Sequence, residues 1–489
     1  MLSPRRLQVP AAFTAPALDE VTGLEVMPGR TENRRSALYD TEELDLTRWG
    51  ARIEHDTQQG WRIEIPRVAS IDRQVRVLPG GASVPAQVRR TVRALTGDRR
   101  LRRLVRLDVH AVITLLVASG QDEPVLLIAD EEVSVTEGRR LVARFREQVI
   151  RPGSGATQAR LDAVEARLCE AGAVPLGPGS SRLLDVLGPR ASSPPAVTAG
   201  DDPEPGDSLS EVVGSRLRRT LHALFLLDAH VRLHGQEQAV AAYAAELRYL
   251  RAGLRVWDEL PQTPAVEATL DTLSELQQVA DDVVAVDARL VRISGAAARV
   301  GLDPARSRPL EGRIERDRVG AAKALLGRMD RPDAQQAFDT VGPLTRLPSS
   351  PRDSLPAAAA DGAAQRRWTL LRDEGEAGLT GQPSEQRDLL LAELGVLCDA
   401  VGDTTDGASV KRFRKRLARH RDALTRAAQS QDTVTWLRST AVTGLGAEEA
   451  FDAGQLAGVE RLAAVEAVTQ VATTWKRLGR PKATRWLGE

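Results

Sequence analysis

The sequence predicts an α+β protein with an antiparallel β half followed by an all-α half. Three observations carry this. Before residue 189, short runs such as Trp61-Arg62-Ile63-Glu64-Ile65 alternate with period two, the pattern of a half-buried strand. After residue 207, leucines recur at helical spacing, as in Leu217, Leu221, Leu224 and Leu227. Between them, Pro189 to Asp207 is rich in Pro, Gly, Ser and Asp and reads as a linker. At 489 residues the chain is too long for one core. The expected division is therefore 1–188, a linker at 189–207, and 208–489.

The elements follow in order. Val75-Arg76-Val77, Val125-Leu126-Leu127-Ile128-Ala129, Val133-Ser134-Val135 and Arg144-Phe145-Arg146-Glu147-Gln148-Val149 are further strand candidates. Helical patterns run from Val84 to Leu95 and from Gln158 to Ala171. Asp130, Glu131 and Glu132 read as a solvated turn between two of the strands. In the second half, Leu247, Leu250, Leu254 and Trp257 keep helical spacing, as do Leu389, Leu390, Glu393, Leu394 and Leu397. Pro343, Pro348, Pro351 and Pro356 cluster between Val341 and Gly362, which splits the helical half into two sub-bundles.

Aromatic residues make up only 3% of the chain, so the cores must be built from Leu, Val and Ala. Formal net charge is zero, so no whole-chain field attracts a nucleic acid or an anionic membrane, and any polyanion site is a local patch. Arginine dominates the cations, with 62 against five lysines. Either guanidinium recognition of oxyanions or GC-rich codon usage accounts for that bias. Cys169 and Cys398 are too few and too far apart for a zinc or disulfide framework, which fits a reducing cytoplasm. No signal-peptide pattern is present, and the apolar run from Ala111 to Ala118 is too short to span a bilayer.

One basic patch stands out by composition. Lys411 to Arg421, read as a helix, buries Phe413, Leu417 and Leu424 and presents Arg412, Lys415, Arg416 and Arg419 together. Cations without interleaved acids suit a linear polyanion, though a solvated helix face is the competing reading. The scarcity of aromatics argues against base stacking and single-stranded nucleic acid. A smaller basic cluster comprises Lys476, Arg477, Arg480, Lys482 and Arg485.

The order of several segments resembles a CYTH domain followed by a CHAD domain. On the CYTH side these are Leu38-Tyr39-Asp40-Thr41 with Leu44-Asp45-Leu46 and Gly50, then Gly60 to Pro66, Val84-Pro85-Ala86, Ala129 to Val133, and Leu161 to Ala173. On the CHAD side they are Ala239 to Trp257 and, most sharply, Trp475 to Leu487. The resemblance implies a closed antiparallel β-barrel, the triphosphate tunnel fold, whose interior arginines hold phosphates and whose glutamates hold Mg²⁺ or Mn²⁺. It implies for the second half a helical bundle, in two sub-bundles, that binds polyphosphate.

The motif positions depart from that pattern. The opening carboxylates fall on Leu2 and Pro4, while Arg6 keeps the positive charge. Glu64 stands at a basic position, Leu127 at a Glu position, and Arg144, Arg146 and Gln148 at the carboxylates of a late strand. The expectation is a tunnel without catalytic or metal-holding residues that binds phosphate through Arg6, Arg52, Arg76, Arg106 and Arg182. In the CHAD half the signature His falls on Ala241 and an Arg on Ala244, while Arg248, Arg251 and Arg255 remain, at spacings that place them on one helical face. In the second repeat the equivalent His falls on Ser384 and Arg387 remains. The segment that follows fits two registers, one preserving His420 and Asp422 and the other placing Ser430 at the His position ahead of Asp432.

Three functions compete. The leading expectation is a cytoplasmic, catalytically degenerate protein that binds inorganic polyphosphate or another linear polyanion, with no cofactor, no membrane and no sequence-specific nucleic acid as partner. Its phosphate-binding set adds Lys411, Arg412, Lys415, Arg416 and Arg419, and its location extends to polyphosphate granules. The second is a metal-dependent triphosphatase using Asp130, Glu131, Glu132 and Glu147. The third is a helical protein-interaction scaffold.

Overall fold

The computed structural model describes residues 4–18, 24–118, 123–177, 182–204, 207–235, 237–257, 263–344, 360–378, 384–404, 407–443 and 445–487. The chain divides into two compact units, Met1–Ala196 and Val197–Glu489. The boundary lies inside the Pro/Gly/Ser/Asp-rich segment.

The first unit is built on strands β1 (Arg5–Val9), β2 (Glu25–Asp40), β3 (Arg52–Asp56), β4 (Gly60–Ile65), β5 (Gln74–Leu78), β6 (Arg102–Val117), β7 (Pro124–Glu137), β8 (Arg140–Pro152) and β9 (Val174–Pro175). They form one sheet in the order β5-β4-β3-β2-β6-β7-β8-β1-β9, and every ladder is antiparallel. Among the described residues no ladder joins β5 to β9, so hydrogen bonding does not close the sheet into the barrel that the resemblance implies. The sheet is nevertheless rolled. Arg62 on β4 and Arg6 on β1 are separated by five intervening strands, yet Arg6 is near enough to lower the Arg62 pKa.

Two expected strands, Val125–Ala129 and Val133–Val135, merge into β7. Asp130, Glu131 and Glu132 are not a turn; they continue the alternation across both ladders. Of the two longest strands, β2 places charged residues on both faces, as at Arg34 and Arg35, whereas β6 alternates, with Val105, Leu107, Val109, Ala111 and Ile113 on one face and Arg106, Asp108, His110 and Thr114 on the other. The short helices of this unit are α1 (Asp45–Arg48), α2 (Ala86–Thr91), α3 (Arg93–Thr96), α4 (Gln158–Glu170) and α5 (Arg182–Leu187).

Pairing divides the sheet into two faces. The outer face of β1, β6, β7 and β8 packs Leu7, Val9, Leu116, Leu126, Ile128 and Ile150 against Leu161, Val164 and Leu168 of α4. The inner face carries Arg6, Arg34, Glu131, Glu147 and Arg151, with Arg52, Glu54, Arg62 and Glu64 in step on β3 and β4. Gly60, at φ 88°, closes the β3–β4 turn with its Cα against the Leu78 carbonyl, a conformation and approach that exclude a side chain.

The Tyr39-Asp40-Thr41 segment is structural. The Asp40 carboxylate accepts from the backbone N–H groups of Thr41, Leu46 and Thr47 at 2.7, 2.9 and 2.9 Å and from the Thr47 hydroxyl at 2.8 Å. It holds α1 in place while Leu44 turns through φ 59°.

The second unit is helical: α6 (Leu209–His234), α7 (Glu237–Val256), α8 (Pro264–Arg299), α9 (Pro304–Met329), α10 (Pro332–Leu344), α11 (Asp361–Gly378), α12 (Glu385–Thr404), α13 (Ala408–Val442), α14 (Ala447–Leu478) and α15 (Pro481–Thr484). A capping box of Ser208 and Glu211 starts α6. Helices α6 and α7 approach closely because Gly253 faces Leu217. One core joins α8, α9, α13 and α14 through Ile293, Leu310, Ile314, Leu437 and Leu456. Pro343 lies inside α10, whereas Pro348, Pro351 and Pro356 fall outside the described residues. No described helix is long and apolar enough to cross a membrane.

Candidate anion-binding sites

The inner face of the β unit gathers arginines around buried carboxylates. Glu131 and Glu147 stand directly opposite each other on β7 and β8 and are 3% and 1% exposed. Glu131 accepts from the Arg34 guanidinium at 2.8 Å and from Arg151 at 2.9 Å, with Arg6 at 3.8 Å. Glu147 accepts from the Arg6 guanidinium at 2.8 Å and from the Arg182 backbone N–H at 3.1 Å. Farther round, Arg52 pairs with Glu54, and both Arg73 and Arg62 pair with Glu64.

These arginines oppose one another electrostatically. Burial lowers the pKa of Arg62, and Arg52, Arg34 and Arg6 lower it further against the pull of Glu54. Arg73 is lowered by burial and by Arg52, Arg62 and Arg6. Arg151 is lowered by burial, with Arg34, Arg6 and Arg62 adding to the effect and Glu131 opposing it.

Apolar side chains bound this polar band on the same face. On one side Leu38, Val105, Leu107, Val133 and Val135 meet Leu183 of α5. On the other lie Ile113, Ala129 and Val149, with Leu115 and Leu127.

The structure separates the residues expected in this tunnel. Arg6 and Arg52 are on the inner face, and Arg182 reaches Gln8 there at 3.2 Å. Arg76 pairs with Ile63, and Arg106 with Ala37 and Thr136, which puts both on the outer face; Arg106 is exposed. Leu2 lies outside the described residues. On β8, Arg144 and Arg146 point outward, Arg146 to Asp130 at 2.5 Å and Arg144 to Glu132 at 3.2 Å. Gln148 shares their parity, so the inward series is Phe145, Glu147, Val149 and Arg151. Of the four candidate carboxylates, only Glu131 and Glu147 therefore share the inner face. Arg34, Arg62, Arg73 and Arg151 were not anticipated. Strict parity along Trp61–Ile65 would have found Arg62, because it shares a face with Glu64.

In the helical unit the expected arginines differ in their partners. On α7, Arg248 donates to Asp281 at 2.8 Å, Arg251 to Gln277 at 2.8 Å and Glu385 at 3.1 Å, and Arg255 to Glu393 at 3.0 Å. Arg387 is buried, and its backbone N–H donates to Ser384 Oγ at 3.2 Å.

The face on α13 is different. Arg412 donates to the Lys482 carbonyl at 3.0 Å and Arg416 to the Arg477 carbonyl at 2.6 Å. Those acceptors are neutral, and among the described residues no carboxylate is within ion-pair distance of Arg412, Lys415, Arg416, Arg419, Arg477 or Arg480. Burial lowers the Arg416 pKa, as do Arg480, Arg412 and Arg477 around it. Lys411 and Lys415 are exposed on the same helix.

An aromatic cluster assembles this surface. Trp368 meets Phe413 edge-to-face at 5.6 Å and lies tilted against Trp475 at 5.5 Å, and Phe413 meets Trp486 at 5.5 Å. The segment from Trp475 to Leu487 is thereby docked on α11 and α13. His420 lies beneath, with Nδ1 3.0 Å from the Thr474 hydroxyl; burial and the nearby Arg387 charge push its pKa down to about 4. Ser430 and Asp432 take other partners, Arg292 and Arg289.

No family model matches the chain. Two curated proteins of Mycobacterium tuberculosis, the uncharacterized proteins Rv2226 and MT2285, are each 24% identical to it over 345 residues, covering 66% of this chain and 66% of theirs. The chain thus spans about two thirds of the length of the curated relatives it matches. Among solved structures, it is similar to PptA from Streptomyces chartreusis, at 18% identity and a TM-score of 0.42, over 55% of this chain and 100% of that one. It is also similar to the CHAD domain from the plant Ricinus communis, at 15% identity and a TM-score of 0.42, over 60% of this chain and 95% of that one.

Proposed function

We propose that the chain binds inorganic polyphosphate on the α13 face of its helical unit, without hydrolysing it. The observation that supports this most is the contrast between two arginine faces. The arginines of α7 already have acidic or amide partners, whereas among the described residues Arg412, Lys415, Arg416 and Arg419 have no carboxylate partner, and Arg412 and Arg416 donate to backbone carbonyls. Guanidiniums without carboxylates keep their donors for an oxyanion, and a row of them suits a repeating anion. The resemblance of Trp475–Leu487 to the end of CHAD domains points the same way.

The test is binding to immobilised polyphosphate. The full chain should be retained at low salt, and Arg412, Lys415, Arg416 and Arg419 changed together to Ala should lower affinity at least about tenfold. Retention unchanged by that variant would sink the proposal.

A triphosphatase reading draws on Glu131 and Glu147, which face each other on the inner surface. The donor set does not fit Mg²⁺ or Mn²⁺. Both carboxylates are engaged by guanidiniums, and among the described residues no three His, Cys, Asp or Glu side chains converge. Phosphate release from tripolyphosphate with either ion, abolished by Glu131→Gln, would restore that reading.

A further inference from the structure

The outward face of α14 is apolar where the other helix of its hairpin is polar. Helix α14 packs along α13 and buries Asp452, Leu456, Glu460, Val471 and Leu478 on one side. On the opposite side Phe451, Leu462 and Val465 are 62%, 63% and 60% exposed, and nothing among the described residues covers them. At about 3.6 residues per turn they fall on one stripe with Gly454, Gly458 and Thr469. Between Lys411 and Ser439, by contrast, the exposed residues of α13 are polar or charged apart from Ala418. Large apolar side chains gathered on one exposed helix face mark a contact surface.

Two glycines limit what can cover it. Glycine in a helix interior is less favourable than alanine. A Cβ at Gly454 or Gly458 would meet no atom within 4 Å, so nothing in the described fold calls for glycine there. Bare backbone on an open face lets a second helix approach closely. Charge then selects that helix. The outward face of α14 is acidic where it begins, at Glu448, and basic where it ends, at Lys476; both are exposed, and Glu448 is also 3.5 Å from Arg306. An antiparallel copy of α14 sets each acidic end beside a basic one, whereas a parallel copy would set like charges together. The face is therefore complementary to itself, as a two-fold contact requires. From Phe451 to Lys476 it is about 38 Å long and about 10 Å wide. Two copies would cover roughly 800 Å² in all, the size of a weak, reversible contact.

We propose that the chain forms a two-fold dimer through α14, the two helices antiparallel, with Leu462 and Val465 of each copy seated over Gly458 and Gly454 of the other. That register places Phe451 against Thr469 of the second copy and Lys476 within about one helical turn of its Glu448. The dimer does not rest on anion binding at α13.

The experiment is sedimentation of the full-length chain over a concentration series without added polyanion. A monomer–dimer equilibrium with a dissociation constant of about 1–100 μM is expected from a contact of this size. Leu462→Glu should weaken association at least about tenfold, because it would bury an unpaired carboxylate in the contact. The melting temperature of the dilute chain should not change, since Leu462 is exposed in the monomer. If L462E does not fold, V465E carries the same test. Gly454→Ala with Gly458→Ala should raise the melting temperature of the dilute chain, through helix propensity, yet weaken the dimer at least about tenfold. A dimer that L462E and V465E leave intact, or that the alanines strengthen or leave unchanged, overturns the proposal. So does a chain that stays monomeric throughout; if L462E then lowers the melting temperature, the face is covered from within its own chain.

Discussion

At the scale of single residues, position in the fold decides what each polar group does. Asp40 is a buried acceptor of four hydrogen bonds, and its pKa is raised by burial even though those bonds act to lower it. Asp40→Ala leaves three backbone N–H groups without that acceptor and should cost about 3 kcal/mol, readable as a lowered denaturation midpoint with anion binding on α13 intact. His420 is neutral when folded. Its folded pKa of about 4 lies below the unfolded value of about 6.5, so the unfolded chain takes up a proton that the folded chain refuses as pH falls. Stability on this account is fully present above pH 6.5 and declines by up to about 3 kcal/mol towards pH 4. His420→Leu should flatten that part of the profile. The Thr474 hydroxyl still donates to the Gln470 carbonyl, at 2.9 Å, so the substitution strands no donor. An unchanged acid slope in chemical denaturation would show that another group titrates.

At the scale of elements, period and parity carry the information, and parity is the fragile part. Leucine spacing marks α6 and α7 without ambiguity, because a helix shows one wide apolar stripe. Strand β8 is less forgiving. Arg144, Arg146 and Gln148 occupy one parity and Glu147 and Arg151 the other, so a shift of one residue turns a tunnel with carboxylates into one without. On β8 the expectation of a stripped tunnel rested on the outer set, whereas Glu64 and Leu127, two of its other departures, do lie on the inner face. The motif Leu38 to Leu46 was legible as a segment, but that Asp40 accepts from the first N–H groups of α1 was not. Helix crossing shows a further element-scale constraint. A Cβ on Gly253 would stand 2.5 Å from Leu217 Cδ2, so Gly253→Val should force α6 and α7 apart. The expected loss is about 2 kcal/mol, measured by thermal or urea unfolding; Leu217→Ala in the same chain should recover part of it.

At the scale of the whole molecule, zero net charge conceals a strong local partition. Many arginines of the helical unit are engaged in internal ion pairs, such as Arg232 with Asp228 at 2.7 Å and Arg306 with Asp452 at 2.6 Å. The α13 surface escapes that neutralisation because the docked Trp475–Leu487 segment presents carbonyls there, not carboxylates. With about four cations engaged, the logarithm of polyphosphate affinity should fall against the logarithm of salt concentration with a slope near −3, by analogy with single-stranded nucleic acid. A slope near zero would mean that the free cations of α13 are not the contact.

The sequence by itself determined the two-part α+β architecture, the helical identity of the second half and the existence of a basic helix around Lys415. These depend on local periodicity and composition, which act over a few residues. Only the tertiary structure decided which arginines remain available and which face of each strand looks inward. Those outcomes depend on partners far away in the chain: Arg6 meets Glu147 across 141 residues and Arg255 meets Glu393 across 138. No local pattern records such a pairing, because an arginine reads the same in sequence whether a carboxylate waits for it or not.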